Sequence, residues 1–176
     1  MAAASEYRAE SATHLQVLFR DHHDRVLRAA YRVTGSMADA EDVAQSVFLK
    51  LARAGCSDLG NVEGYLHRAA INGALDLLRR RARENAVELF DGLPQSGHSG
   101  PEKQCEAAEL RAWLRNALGR LDPKAAEMFV LRYVEGCDLG EIARTLKTSR
   151  AVVAVLLHRT RARLRRDYSD TMRGKR

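Results

Sequence analysis

The 176-residue chain is poor in residues that interrupt helices or build sheets. It has three prolines and an aromatic fraction of 6%. Set against many Ala, Leu, Arg and Glu residues, that scarcity favours helix over sheet. Its cysteines, Cys56, Cys105 and Cys137, are odd in number, far apart and without C-x-x-C spacing. This argues against a disulfide framework or a zinc knuckle and suits reduced thiols in a cytosolic protein. The first residues carry Glu6 and no apolar run, so no secretory signal peptide is expected. No uninterrupted apolar stretch is long enough to span a bilayer, so membrane insertion is not expected either. Metal-ligand clusters, phosphate loops and nucleophiles paired with a base are also missing. His22 and His23 are adjacent and point to different sides of a helix, where one metal cannot easily bridge them. The expectation is a non-enzymatic protein without cofactor or metal.

What the chain does have is positive charge. The formal net charge is +6 and the pI is near 9.5, which makes a polyanion a plausible partner. Charge alone does not separate nucleic acid from an anionic membrane or an acidic protein.

Apolar residues recur at helical spacing through Leu15, Leu18, Phe19, Val26, Leu27, Ala30, Tyr31 and Val33, stopping at Gly35. Ser36, three residues before Asp39, has the pattern of an N-cap. Val43, Val47, Phe48 and Leu51 then form the apolar side of a second helix, broken by Gly55 to Asn61. A third helix runs from about Val62 to the region of Phe90. The Gly-, Pro- and Ser-rich segment from Gly92 to Pro101 has linker chemistry. Two small helical domains, 1–90 and 103–176, are therefore expected on either side of a flexible linker, 91–102. Four helical segments follow the linker: Glu102–Arg120, one opened by Pro123 and ended by Gly136, Leu139–Leu146, and Ser149 to about Tyr168.

Three stretches carry the functional reading. On the third helix, Leu66, Ala69, Ala70, Leu75, Leu77 and Leu78 form an apolar side. Arg68, Asn72, Asp76, Arg79 and Arg80 form a polar stripe. An Asn and an Arg one turn apart, followed by clustered arginines, suit a helix that reads base edges and holds phosphates. An amphipathic surface helix with a solvated basic face is the competing reading. On the second helix Asp39, Glu41, Asp42 and Gln45 lie outside, an acidic face that would repel DNA and suit a basic protein surface. Part of that charge simply complements the helix dipole. Finally, Leu139 to Ser149 followed by a long helix has the form of a helix-turn-helix. In it Ile142, Ala143 and Leu146 pack inward and Ser149 caps the second helix.

These stretches, in this order around a linker, resemble the extracytoplasmic-function (ECF) group of sigma factors in the sigma-70 family. The resemblance spans roughly Leu15 to Arg166. It implies an all-α fold of two domains, sigma regions two and four, acting as a cytoplasmic transcription initiation factor. The run Asp39 to Leu51, with Glu41, Asp42, Gln45 and Leu49, resembles the segment that grips core RNA polymerase. Ser46 stands where many relatives carry an acid. The run from Tyr65 to Arg79 resembles the segment that melts and reads the minus-ten element. The resemblance implies base contacts from Arg68 and Asn72, beside Asp76, and phosphate contacts from Arg79, Arg80, Arg81 and Arg83. The loop holding Gly55, Ser57, Asp58 and Asn61 would cradle a flipped base, with stacking supplied by Tyr65.

The recognition helix departs from the family pattern. Relatives commonly begin it Ser-x-Gly-Thr-Val-Lys-Ser-Arg, whereas this chain reads Ser149-Arg150-Ala151-Val152-Val153-Ala154-Val155-Leu156. Val153 and Leu157 belong to the core. Val152, Ala154, Val155 and Leu156 replace hydrogen-bonding residues on the side facing the groove. Such side chains can touch thymine methyls but make no bidentate contacts. Val152, Val155 and Leu156 are expected to form an exposed apolar strip for a protein partner, such as an anti-sigma factor or another regulatory protein. Ser149, Arg150, His158, Arg159 and Arg161 remain able to hold promoter DNA, mostly through phosphate. Two rival readings are a sigma-like decoy that binds a protein and never initiates, and a plain helix-turn-helix regulator using only its C-terminal domain.

Overall fold

The computed structural model describes residues 2–54, 61–88 and 102–174. Those residues form helices α1 (Ala2–Thr34), α2 (Met37–Ala54), α3 (Val62–Glu88), α4 (Glu102–Gly119), α5 (Pro123–Tyr133), α6 (Leu139–Thr145) and α7 (Arg150–Gly174). No strand occurs among the described residues, so the all-α expectation holds. The chain divides into two compact units, Met1–Ala74 and Leu75–Arg176, with the division falling inside α3. The segment read as a linker, 91–102, lies almost wholly outside the described residues.

In the first unit α2 folds back along α1 through a two-residue turn. Gly35 takes φ 68°, a left-handed conformation that costs glycine little and closes helix α1. Its N–H donates to the Tyr31 carbonyl at 2.7 Å. Thr34 Oγ1 donates to the Ala30 carbonyl at 3.1 Å. Ser36 Oγ accepts the Asp39 N–H at 3.4 Å, the N-cap read from the sequence. The core joins Leu18, Val26, Ala29, Ala30 and Val33 of α1 to Ala40, Val43, Ala44, Val47, Phe48 and Leu51 of α2. Leu66, Ala70, Ile71 and Ala74 of α3 complete it. Phe19 and Tyr31, which share the apolar periodicity of α1, are each 45% exposed. An ion pair between Arg25 and Glu63 ties α1 to the start of α3.

In the second unit the turns between helices are built from capping chemistry. Asp122 accepts the N–H groups of Lys124 and Ala125, and Pro123 occupies the first helical position of α5, where its missing N–H costs nothing. After α5, Gly136 takes φ 76° and Arg132 Nη1 donates to the Cys137 carbonyl at 2.9 Å. Asp138 and Glu141 form a reciprocal capping box at the start of α6. Ile142 and Ala143 of α6, Met128, Val130 and Leu131 of α5, and Val153, Leu157 and Leu164 of α7 supply buried side chains.

Candidate nucleic-acid and protein interfaces

The polar face of α3 forms because its buried residues drift around the helix. Leu66 and Ala70 are buried early; Ile71, Ala74 and Leu75 follow; Leu78 and Ala82 come last. That leaves Tyr65, Arg68, Asn72, Asp76, Arg79 and Arg83 at three- and four-residue spacing along one side. Tyr65 is 41% exposed, while Arg68 and Asn72 are half-buried. Asp76 pairs with Arg79, whose side chain keeps only 19% of its surface, and Arg79 Nε is buried without a hydrogen-bond partner. Arg79 is thus a held guanidinium with its direction set by Asp76, rather than a loose surface cation. Arg80 and Arg83 are exposed. Arg81 is exposed too, but it falls on the other side of the helix from Asn72.

Asn61 caps α3 by accepting the Gly64 N–H at 2.9 Å. Its side chain is therefore engaged with the helix end, one turn from Tyr65. Gly55, Ser57 and Asp58, the rest of the loop read as a base cradle, lie outside the described residues.

On α2 the expected acidic face is narrower than the sequence suggests. Asp39 is buried, with 8% of its surface exposed. This corrects its placement outside. In a helix, position 39 lies at the edge of the side that carries Val43 and Val47, which face the core. Glu41, Asp42 and Gln45 are exposed as expected, and Leu49 is 50% exposed beside them. The sequence reading missed what borders this face. An apolar groove of about 340 Å³, lined by Leu15, Gln16, Phe19, Gln45, Phe48, Leu49 and Ala52, runs between α1 and α2. Phe19 meets Phe48 edge to face at 4.8 Å and His23 at 4.7 Å. Helical spacing places Phe19 with the core, so the sequence carries no sign of this groove.

The helix-turn-helix is built from α6 and α7. Lys147 takes φ 49°, a left-handed turn position uncommon for a side-chain-bearing residue. Thr148 N–H reaches back to the Ala143 carbonyl at 2.9 Å. Ser149 Oγ accepts the Val152 N–H at 3.2 Å, as its capping role requires, and its own O–H remains a donor. Arg144 and Lys147, unremarked in the sequence, line a recess with Asp138, Thr148 and Arg150. The Asp138 carboxyl is held below the ordinary carboxylate range, first by the Glu141 N–H, then by the Gly140 N–H and by Arg144 and Arg150. The Cys137 thiol is pushed up by burial and by Glu141 and Glu135, so it is a poor thiolate former. Along α7, Val153 and Leu157 are buried as expected, and Val152 and Val155 are 47% and 51% exposed. Leu156 is half-buried, which corrects its place in the exposed strip: it sits closer to the Val153–Thr160 core side than its two neighbours. Arg150, His158, Arg159 and Arg161 are exposed.

The fold and these faces define a class: a helical protein with a polar-striped helix in one part and a capped helix-turn-helix in the other. Residues 18–84 match the model of Sigma-70 region 2, and residues 111–164 match that of Sigma-70, region 4. The ECF RNA polymerase sigma factor SigE of Mycolicibacterium smegmatis is 39% identical over 155 residues, covering 86% of this chain and 60% of that protein. The ferric citrate uptake sigma factor FecI of Escherichia coli is 31% identical over 134 residues, covering 75% of this chain and 78% of that one. A crystal structure of the Mycobacterium tuberculosis ECF sigma factor SigJ aligns more loosely, with a TM-score of 0.44 and 24% identity over 90% of this chain and 52% of that chain. The chain belongs to the ECF group of the sigma-70 family. No helix among the described residues is long and apolar enough to cross a membrane.

Proposed function

We propose that this chain is a cytoplasmic transcription initiation factor that binds core RNA polymerase and directs it to promoters, with no chemistry of its own. The observation that carries this reading is the shared face of Tyr65, Arg68, Asn72 and Arg79 on α3, set in a region-2 match. Arg68 and Asn72 read minus-ten bases, Tyr65 offers a stacking surface for an unpaired base, and Arg79, Arg80 and Arg83 hold phosphate. Glu41, Asp42, Gln45 and Leu49 on α2 meet a basic surface of the polymerase, and the neighbouring groove around Phe19 and Phe48 extends that contact with apolar area. Segment 91–102 joins this domain to the helix-turn-helix, which meets upstream duplex through Ser149, Arg150, His158, Arg159 and Arg161. An anti-sigma protein is the expected regulatory partner.

Run-off transcription with core polymerase tests the proposal. The full chain should yield promoter-specific transcripts. Reversing charge at Asp42 together with Gln45→Ala should weaken core binding. Stable core binding with no transcript from any template would overturn initiation in favour of a decoy. Sequence-specific duplex binding without any core binding would favour the simple repressor.

A further inference from the structure

We propose that the outer face of α7 reads the 5-methyl groups of thymines in duplex DNA, with Val152 and Val155 as the specificity-determining side chains. The inference rests on the proposed role of the helix-turn-helix at upstream duplex, and it names what that helix recognises.

Three observations carry it. First, with Leu156 half-buried, the exposed strip contracts to Ala151, Val152, Ala154 and Val155. Two valines and two alanines form only a small apolar centre for a protein interface, and the large aromatic and aliphatic anchors that usually carry such a centre are missing from it. Second, no acidic residue occurs from Ser149 to Arg166. Exposed Arg150, His158 and Arg159 flank the strip, and further exposed arginines follow along the helix, so its setting suits a polyanion. Third, Ala151 to Leu157 supply no side-chain donor or acceptor. In the major groove, the feature that an apolar side chain can single out is the thymine methyl, which cytosine and uracil lack. Short side chains on the outer face also let the helix lie close to base edges. Arginines beside the strip hold the backbone, and the valines between them discriminate.

The test uses the full chain assembled with core polymerase and a randomised duplex library made in two forms, one with thymine and one with uracil. The thymine library should enrich a thymine-bearing upstream segment that the uracil library does not. Replacing a contacted thymine by uracil in an enriched duplex should weaken binding about fourfold for one buried methyl. With that base pair changed to one carrying cytosine, the 5-methylcytosine duplex should bind more tightly than the unmethylated one. The double variant Val152→Ala, Val155→Ala should bring the thymine-to-uracil ratio close to one; circular dichroism should show the fold unchanged, since both side chains are exposed. An enriched upstream segment insensitive to uracil overturns the inference and leaves the proposed function standing. Retained core binding and promoter opening with no upstream preference also overturns it. Failure to bind core polymerase removes the proposed function and the inference with it.

Discussion

Along α3, arginines share one side of the helix with an asparagine, a tyrosine and an aspartate, whereas the outer turns of α7 set arginines around alanine and valine. Both helices are basic, so both can be drawn to DNA by phosphate charge, which carries no sequence information. They differ in what lies between the cations. α3 offers hydrogen-bonding groups and a ring, which suit bases already separated from their partners. α7 offers only methyl groups, which suit the thymine methyls of a closed major groove. The difference teaches that basic charge and helix placement identify a surface, while the uncharged residues between the cations decide what it can tell apart.

The comparison can be broken or sharpened by substitution. The largest effect concerns burial. Ile71→Ala, on the fully buried side of α3, should destabilise the protein by about 2–5 kcal/mol. Val155→Ala, on the exposed side of α7, should change stability by no more than about 0.5 kcal/mol. Equal losses in denaturant titrations would show that Val155 is packed and that the two faces are not distinct.

Next comes base reading. Arg68→Ala and Asn72→Ala should each cost about 1–3 kcal/mol at a directly read base and flatten preference among minus-ten variants. Arg80→Ala should weaken all sequences alike and reduce the salt slope. Open-complex formation on single-base promoter variants at two salt concentrations separates the two behaviours. Unchanged base preference in Asn72→Ala would remove the reader from α3.

A smaller effect is expected where turn chemistry supports the second unit. Asp122→Ala removes the acceptor for the Lys124 and Ala125 N–H groups and should cost about 1 kcal/mol in thermal or denaturant unfolding. Asp122→Asn should recover most of it, because the amide oxygen can still cap.

The smallest effect is a pH dependence at Asp138. Its carboxyl is held below the ordinary range in the folded protein, so its stabilising contribution is present above the unfolded carboxylate value. That contribution fades as pH falls through the lower folded value. Melting curves through the acid range should show a small loss absent from Asp138→Asn. A variant that melts in parallel with the parent at every pH would remove the capping box as its source.

Much of this was legible in the order of residues. Ser36, Pro123 and Ser149 announce helix starts, because a cap needs only its own next few amides. The α3 stripe follows from helical period, because both ends of the relationship lie on one helix; the burial of Val153 and Leu157 follows from the family pattern, since the run from Ala151 to Leu157 is apolar throughout. Asp39, Leu156 and Phe19 were misplaced for one reason: each lies at the edge of a helical face. A period assigns such a position to a side, but its burial depends on how closely the neighbouring helix approaches.

The sequence by itself determined the all-helical class, the family, the charge on each candidate face and the lack of donors on the recognition helix. These are properties of composition, spacing and local hydrogen bonding. Only the tertiary structure decided that Asp39 is buried and that Leu156 is half-buried, leaving Val152 and Val155 as the exposed large side chains of the strip. The groove beside Leu49 also emerged only there, opening between α1 and α2 around the Phe19–Phe48 pair. Each of these results depends on surfaces brought together from separate helices, and no local interaction along the chain specifies that approach.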